Sequence, residues 1–176
     1  MKTYLIADTH FNHANIATYC QRPANFTEII LRNLRNTLTP EDTLIHLGDV
    51  YIGKKPPWLC EWPGKKILIR GNHDRGSGWA SWQMRGFDFV CDGLKFRNCW
   101  LTHEPSTSLA DGCELNIHGH LHNIWDGFAP EGPSALKIDR LKRDWQRLFA
   151  IEYTNYMPIE FEKFINHPDK FRARHP

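Results

Sequence analysis

Ile67-Leu68-Ile69-Arg70-Gly71-Asn72-His73-Asp74 sets a short apolar run directly against a polar turn. Such a run bounded by turn formers reads as a buried strand that stops where the chain must bend. The turn then presents an amide, an imidazole and a carboxylate in succession, three groups able to bind a cation or move a proton.

Outward from this stretch the same pattern recurs four times. Tyr4-Leu5-Ile6-Ala7 precedes Asp8-Thr9-His10, and Leu44-Ile45-His46-Leu47 precedes Gly48-Asp49. Cys99-Trp100-Leu101-Thr102 precedes His103, and Leu115-Asn116-Ile117-His118 precedes Gly119-His120-Leu121-His122. Between the first two runs, Ile30, Leu34 and Leu38 repeat at a spacing of four behind Thr27, which predicts a capped helix over Thr27–Leu38 and a βαβ unit. The remaining pattern predicts a short helix over Trp79–Arg85 and strands over Phe87–Val90, Leu94–Phe96 and Leu148–Tyr153. It also predicts a Gly- and Pro-rich loop over Trp125–Ser134, a last helix over Pro158–Ile165 and a frayed polar tail from about residue 166. Alternating strands and helices, with polar clusters after the strands, make this an α/β layered fold whose site lies beyond the carboxyl ends of the strands.

A length of 176 residues suits one domain, 1–176, with a core of its own. The 22 Lys and Arg residues nearly balance 20 Asp and Glu, so no field of one sign draws the chain to a polyanion. Lys163, Lys170, Arg172 and Arg174 read as a solvated face, and nucleic acid is not an expected partner. The start, Met1 to Ala7, is too short and polar for a signal peptide, and no window approaches the roughly 18 apolar residues of a membrane span. A cytoplasmic protein with no membrane contact is expected. Cys20, Cys60, Cys91, Cys99 and Cys113 are odd in number and scattered, which indicates reduced thiols.

Each polar cluster has a bland reading of its own. Asp8 could cap a following helix, Gly48-Asp49 could be a simple turn, and Asn72 and Asp74 could be a turn former and a cap. Yet Asp8 and His10 share parity in an extended chain and so one side of it, and His120 and His122 repeat that spacing. His46 and His118 lie inside the strand runs and are read as strand residues or as outer hydrogen-bond partners of ligands. Five strand ends that all offer carboxylate, amide or imidazole donors point to divalent metal ions.

The ordered set Asp8-x-His10, Gly48-Asp49, Gly71-Asn72-His73-Asp74, His103 and Gly119-His120-x-His122 resembles the calcineurin-like metallophosphoesterase family over residues 4–122. The stretches DTHFNHANI (8–16) and NIHGHLHN (116–123) are similar to its small single-domain bacterial and phage members. The resemblance implies an αββα sandwich of two mixed β-sheets flanked by helices. It assigns Asp8, His10, Asp49 and His122 to one metal, and Asn72, His103, His120 and the shared Asp49 to a second. It makes His73 the residue that contacts the phosphoryl group or protonates the leaving group, and Asp74 the acid that orients it. Two divalent cations are implied, manganese first, with iron, zinc, nickel and magnesium as alternatives. One departure is Ile52, which stands where many members carry the second acid of Gly-Asp-x-x-Asp and so disfavours the protein phosphatase and diadenosine tetraphosphatase branches.

Two dications bring four positive charges against the two negative charges of Asp8 and Asp49, leaving a site that attracts a phosphate oxyanion and activates a bridging hydroxide. The expected substrate is a small phosphoester, a nucleotide-like or cyclic diester before a monoester. A diester carries one negative charge fewer, and Trp58, Trp62, Trp79 and Trp82 crowd the flanks of Gly71–Asp74, where an aromatic face could stack a base. A phosphomonoesterase and a non-enzymatic scaffold of the same fold are the rival readings, and the complete donor set speaks against the scaffold. A mononuclear zinc amidohydrolase would need only three of the seven donors.

Overall fold

Burial on both faces explains the strands, because a strand covered on each side reads as a continuous apolar run. The computed structural model describes residues 1–53, 62–124 and 143–171. Strands β1 (Thr3–Ile6), β2 (Thr43–His46), β3 (Lys65–Ile69) and β4 (Phe89–Cys91) run parallel, and β9 (Ile159–Glu160) closes the sheet antiparallel to β1, in the order β4-β3-β2-β1-β9. A second sheet has the order β5-β6-β7-β8, from β5 (Leu94–Phe96), β6 (Cys99–Thr102), β7 (Leu115–His118) and β8 (Gln146–Leu148), with only β5 antiparallel.

Alternate residues of the first sheet's parallel strands enter different cores. Leu5, Ala7, Ile45, Leu47 and Ile69 of the first sheet meet Cys99, Leu101, Ile117 and Phe149 of the second. Tyr4, Ile6, Leu44 and Leu68 face the other way, onto Ile16 of α1 (Ala14–Tyr19), Ile30 and Leu34 of α2 (Phe26–Thr37) and Trp82 of α3 (Trp79–Met84). Helix α4 (Phe161–Asn166) sends Phe161 and Phe164 into the core between the sheets, with ring centroids 4.9 Å from Phe96 and 5.2 Å from Phe149. Two mixed sheets flanked by helices are thus the fold that the resemblance implies, and the layered α/β order is the one read from the strand-end clusters. Among the described residues no helix is long and apolar enough to cross a membrane.

Several local expectations are corrected. Helix α2 begins at Phe26 behind Asn25, so Thr27 is inside it and no side chain caps it. The strand expected over Leu148–Tyr153 stops at Leu148, and Ile151–Thr154 forms a 3-10 turn that leaves the sheet. The helix expected over Pro158–Ile165 gives its first residues to β9, because Ile159 and Glu160 pair with Leu5 and Tyr4 at the sheet edge. Residues Pro168–Phe171 form another 3-10 turn, with Phe171 5.6 Å from Phe164, so the start of the tail is held. The loop expected over Trp125–Ser134 and the residues Trp58, Arg172 and Arg174 lie outside the described residues.

The two sheets bring their strand ends to a common edge. There the chain after β1 runs beside the chain after β2, with Asp8 N donating to Gly48 O at 2.9 Å, His10 N to Asp49 O at 3.0 Å and Phe11 N to Val50 O at 3.0 Å. In the second sheet, Gly119 N donates to His103 O at 2.9 Å.

Candidate metal centre

Asp8, His10, Asp49, His120 and His122 all have left-handed backbone, with φ between 45° and 71°. Non-glycine residues adopt this region rarely and at a cost, and such strain gathers where the surrounding structure forces a side chain to a particular place. Here each bend turns a side chain off the strand end and into the space between the two sheets. Gly48, at φ +99°, makes the sharpest turn, and a Cβ on it would lie 2.5 Å from His103 Nδ1. Gly71 lets the next loop come down onto Asp49, since a Cβ there would collide with Asp49 Oδ1.

Both buried aspartates divide their oxygens in the same way. Asp8 Oδ2 accepts from His120 N at 3.0 Å, and Asp49 Oδ1 accepts from His73 N at 3.0 Å. The other oxygens face the histidine rings. Asp49 Oδ2 lies 3.6 Å from His10 Nε2 and 3.4 Å from His103 Nε2, and Asp8 Oδ1 lies 4.0 Å from His10 Nε2 and 3.9 Å from His122 Nε2. His103 Nε2 also lies 3.0 Å from Asn72 Oδ1 and 3.1 Å from His120 Nδ1. Two groups, Asp8, His10 and His122, and Asp49, His103 and His120, each have donor atoms within 4.8 Å of one another, and Cys20 and Glu152 lie equally close to His122.

The donors suit cations. Asp8 Oδ1 and both ring nitrogens of His10 are buried without a hydrogen-bond partner among the described residues, a costly arrangement unless an ion satisfies them. Burial holds the His10 ring down at about 2, so it is neutral with a lone pair to give. Burial would lower His103 too, but its hydrogen bond to Asp49 and the charges of Asp8 and Asp49 outweigh that and raise it to about 9. The same carboxylates therefore draw positive charge to this spot, and a cation there competes with the proton. His103 Nδ1 donates to Leu47 O at 2.8 Å, which turns Nε2 toward Asp49, Asn72 and His120.

His73 has a half-exposed ring whose Nε2 lies 3.9 Å from Asp49 Oδ2, at the mouth beside His10 and His13. Asp74 is placed differently from expectation. Its carboxylate accepts from the backbone N–H groups of Asp49 at 2.7 Å, Gly71 at 2.8 Å and Val50 at 3.1 Å, so it ties the Asp49 and Gly71 loops together, and among the described residues no hydrogen bond joins it to the His73 ring. Burial raises it to about 6 against the pull of those amides. His46 and His118 are buried strand residues, as expected. His46 bonds Thr9 Oγ1 at 2.9 Å and Gly48 N at 3.1 Å, and His118 bonds Gly119 O at 2.9 Å. Trp62 and Trp82 are core residues, which removes both as stacking faces, whereas Trp79 is half exposed and lies on Arg70. Arg22 and Glu152 carry no motif, yet both side chains are buried against His122.

A sequence model of the calcineurin-like phosphoesterases matches residues 1–169. The chain belongs to this family. An uncharacterized protein of Methanocaldococcus jannaschii, MJ1445, is 33% identical over 93% of this chain and 89% of its own length. A protein of unknown function from Aquifex aeolicus, AQ665, has a similar solved structure, at TM-score 0.69 and 28% identity, covering 94% of this chain and 98% of that one. The nuclease MPE of Pseudomonas putida is similar over 68% of this chain and 61% of its own, with a TM-score of 0.50 and 29% identity. Membership of this calcineurin-like family makes the chain a metal-dependent phosphoester hydrolase, and the donor groups described above are candidates for its metal ions.

Proposed function

We propose that the protein is a dinuclear-metal phosphodiesterase acting on small nucleotide-derived or cyclic diesters. The observation that carries this reading is the place of Asp49, whose Oδ2 lies 3.6 Å from a nitrogen of one donor group and 3.4 Å from a nitrogen of the other. That is where a carboxylate shared by two ions belongs. Asp8, His10, Asp49 and His122 would hold one ion, and Asn72, His103, His120 and Asp49 the other. The mixed carboxylate, amide and imidazole set, without a thiolate, suits manganese. When bound, the two ions supply charge neutralisation and a water acidic enough to attack phosphorus near neutral pH.

The remaining chemistry belongs to the chain itself. His73 stands at the mouth with an exposed nitrogen, where it can protonate a leaving oxygen. Asp74 keeps Asp49 and Gly71 in register through their amides, so the geometry does not have to be assembled at each turnover. The likeness to a nuclease supports diesters, and so does the single negative charge of a diester beside a centre of modest net charge.

The test is kcat/KM for bis-p-nitrophenyl phosphate, 2′,3′-cyclic AMP and p-nitrophenyl phosphate with manganese. The diesters should lead. A monoester preference overturns the substrate class, and no turnover of any of the three overturns the enzyme reading in favour of a scaffold.

A further inference from the structure

Behind His122 the described residues hold a buried ion pair that the family motifs do not include. Arg22 follows α1, and Glu152 comes from the 3-10 turn Ile151–Thr154, 130 residues later. The Arg22 side chain is fully buried and that of Glu152 nearly so. Arg22 Nε and Nη2 donate to Glu152 Oε1 at 3.0 and 2.7 Å, Nη2 also donates to Asp8 O at 2.8 Å, and Nη1 donates to Thr9 O at 3.2 Å. One guanidinium therefore holds both the carboxylate behind His122 and the strained backbone of the Asp8 loop.

Counting the hydrogens of Arg22 favours one orientation of His122, whose ring also lies beside Cys20. Its Nδ1 lies 3.1 Å from Glu152 Oε1 and 3.2 Å from Arg22 Nη2, so it could in principle donate to the first or accept from the second. A guanidinium Nη carries two hydrogens, and both on Nη2 are already used, by Asp8 O and Glu152 Oε1. The His122 Nδ1 hydrogen therefore points to Glu152, which leaves Nε2 as the lone-pair atom, 3.9 Å from Asp8 Oδ1. The opposite tautomer would put a hydrogen where the ion is expected.

We infer that Glu152, carried by Arg22, is a positioning residue that fixes the His122 tautomer and the Asp8 loop, and so sets the affinity of the Asp8–His10–His122 metal site separately from that of the other site. The two sites are backed unequally. His122 has an anionic carboxylate behind it, whereas His103 has the neutral carbonyl of Leu47. A carboxylate behind a ligating imidazole raises its basicity and fixes its orientation, and loss of such a partner costs about 10–100-fold in metal affinity.

This inference rests on the two-metal reading, and its test separates the two. Manganese is titrated into metal-free full-length protein by calorimetry, with total metal per chain measured in parallel, for wild type, Glu152→Gln, Glu152→Ala and Arg22→Lys. Thermal melts of the metal-free variants identify those that fold. Wild type should bind two ions. Glu152→Ala should lose about 10–100-fold at one site while the other keeps its affinity, and Glu152→Gln, which retains an acceptor oxygen, should lose less. If the alanine variant does not fold, the glutamine and lysine variants decide, each with a selective loss at one site. Wild type binding fewer than two ions overturns the two-metal reading. Wild type binding two, with folded variants unchanged at both sites or weakened equally at both, overturns the positioning role.

Discussion

His73 keeps its ring half in solvent with Nε2 3.9 Å from Asp49 Oδ2, so it can reach a substrate oxygen without occupying a ligand position. If it protonates the leaving group, His73→Gln should slow alkyl phosphodiesters by about 10²–10⁴-fold and p-nitrophenyl esters far less, because p-nitrophenolate leaves without a proton. Steady-state kcat on matched pairs of esters measures this, and equal losses would mean that the ring only positions phosphate. The candidate donors were legible from sequence because each stands at the end of an apolar run, a place visible without knowing the partner. Asp74 was legible as part of the turn but not in its role, since its partners are the backbone amides of Asp49, Val50 and Gly71, and no side-chain pattern records a backbone donor. Arg22 and Glu152 were not legible, because a pair 130 residues apart leaves two isolated charges in the sequence.

The loops are the elements on which the site depends. Gly71 lets one loop settle on the Asp49 carboxylate, where any Cβ would collide with Oδ1. Gly71→Ala should therefore destabilise the fold by about 1–3 kcal/mol through overpacking and weaken manganese binding, since Asp49 must move. Urea melts of metal-free protein and a manganese titration check both, and wild-type behaviour in each would show that the loop has room to spare. The long elements were readable for a related reason. Strands β1, β2 and β3 feed two cores and so show as runs, β6 and β7 send their apolar residues into the core between the sheets, and α2 shows its spacing of four. The late elements β8 and β9, of three and two residues, carry too little pattern to be told from the turns and helix beside them.

At the scale of the molecule, two sheets meet so that the carboxyl ends of β1, β2 and β3 face those of β6 and β7, and five side chains converge around the two carboxylates of Asp8 and Asp49, the seven coming from five loops. No single loop carries enough donors for an ion, which ties metal binding to the packed sandwich and makes Asp49 the hinge between the two donor groups. The direct measurement is anomalous diffraction at the manganese edge from crystals grown with that metal. Two peaks should flank Asp49 Oδ2, one among Asp8, His10 and His122 and the other among Asn72, His103 and His120. A single peak, or peaks away from these side chains, would contradict the dinuclear centre.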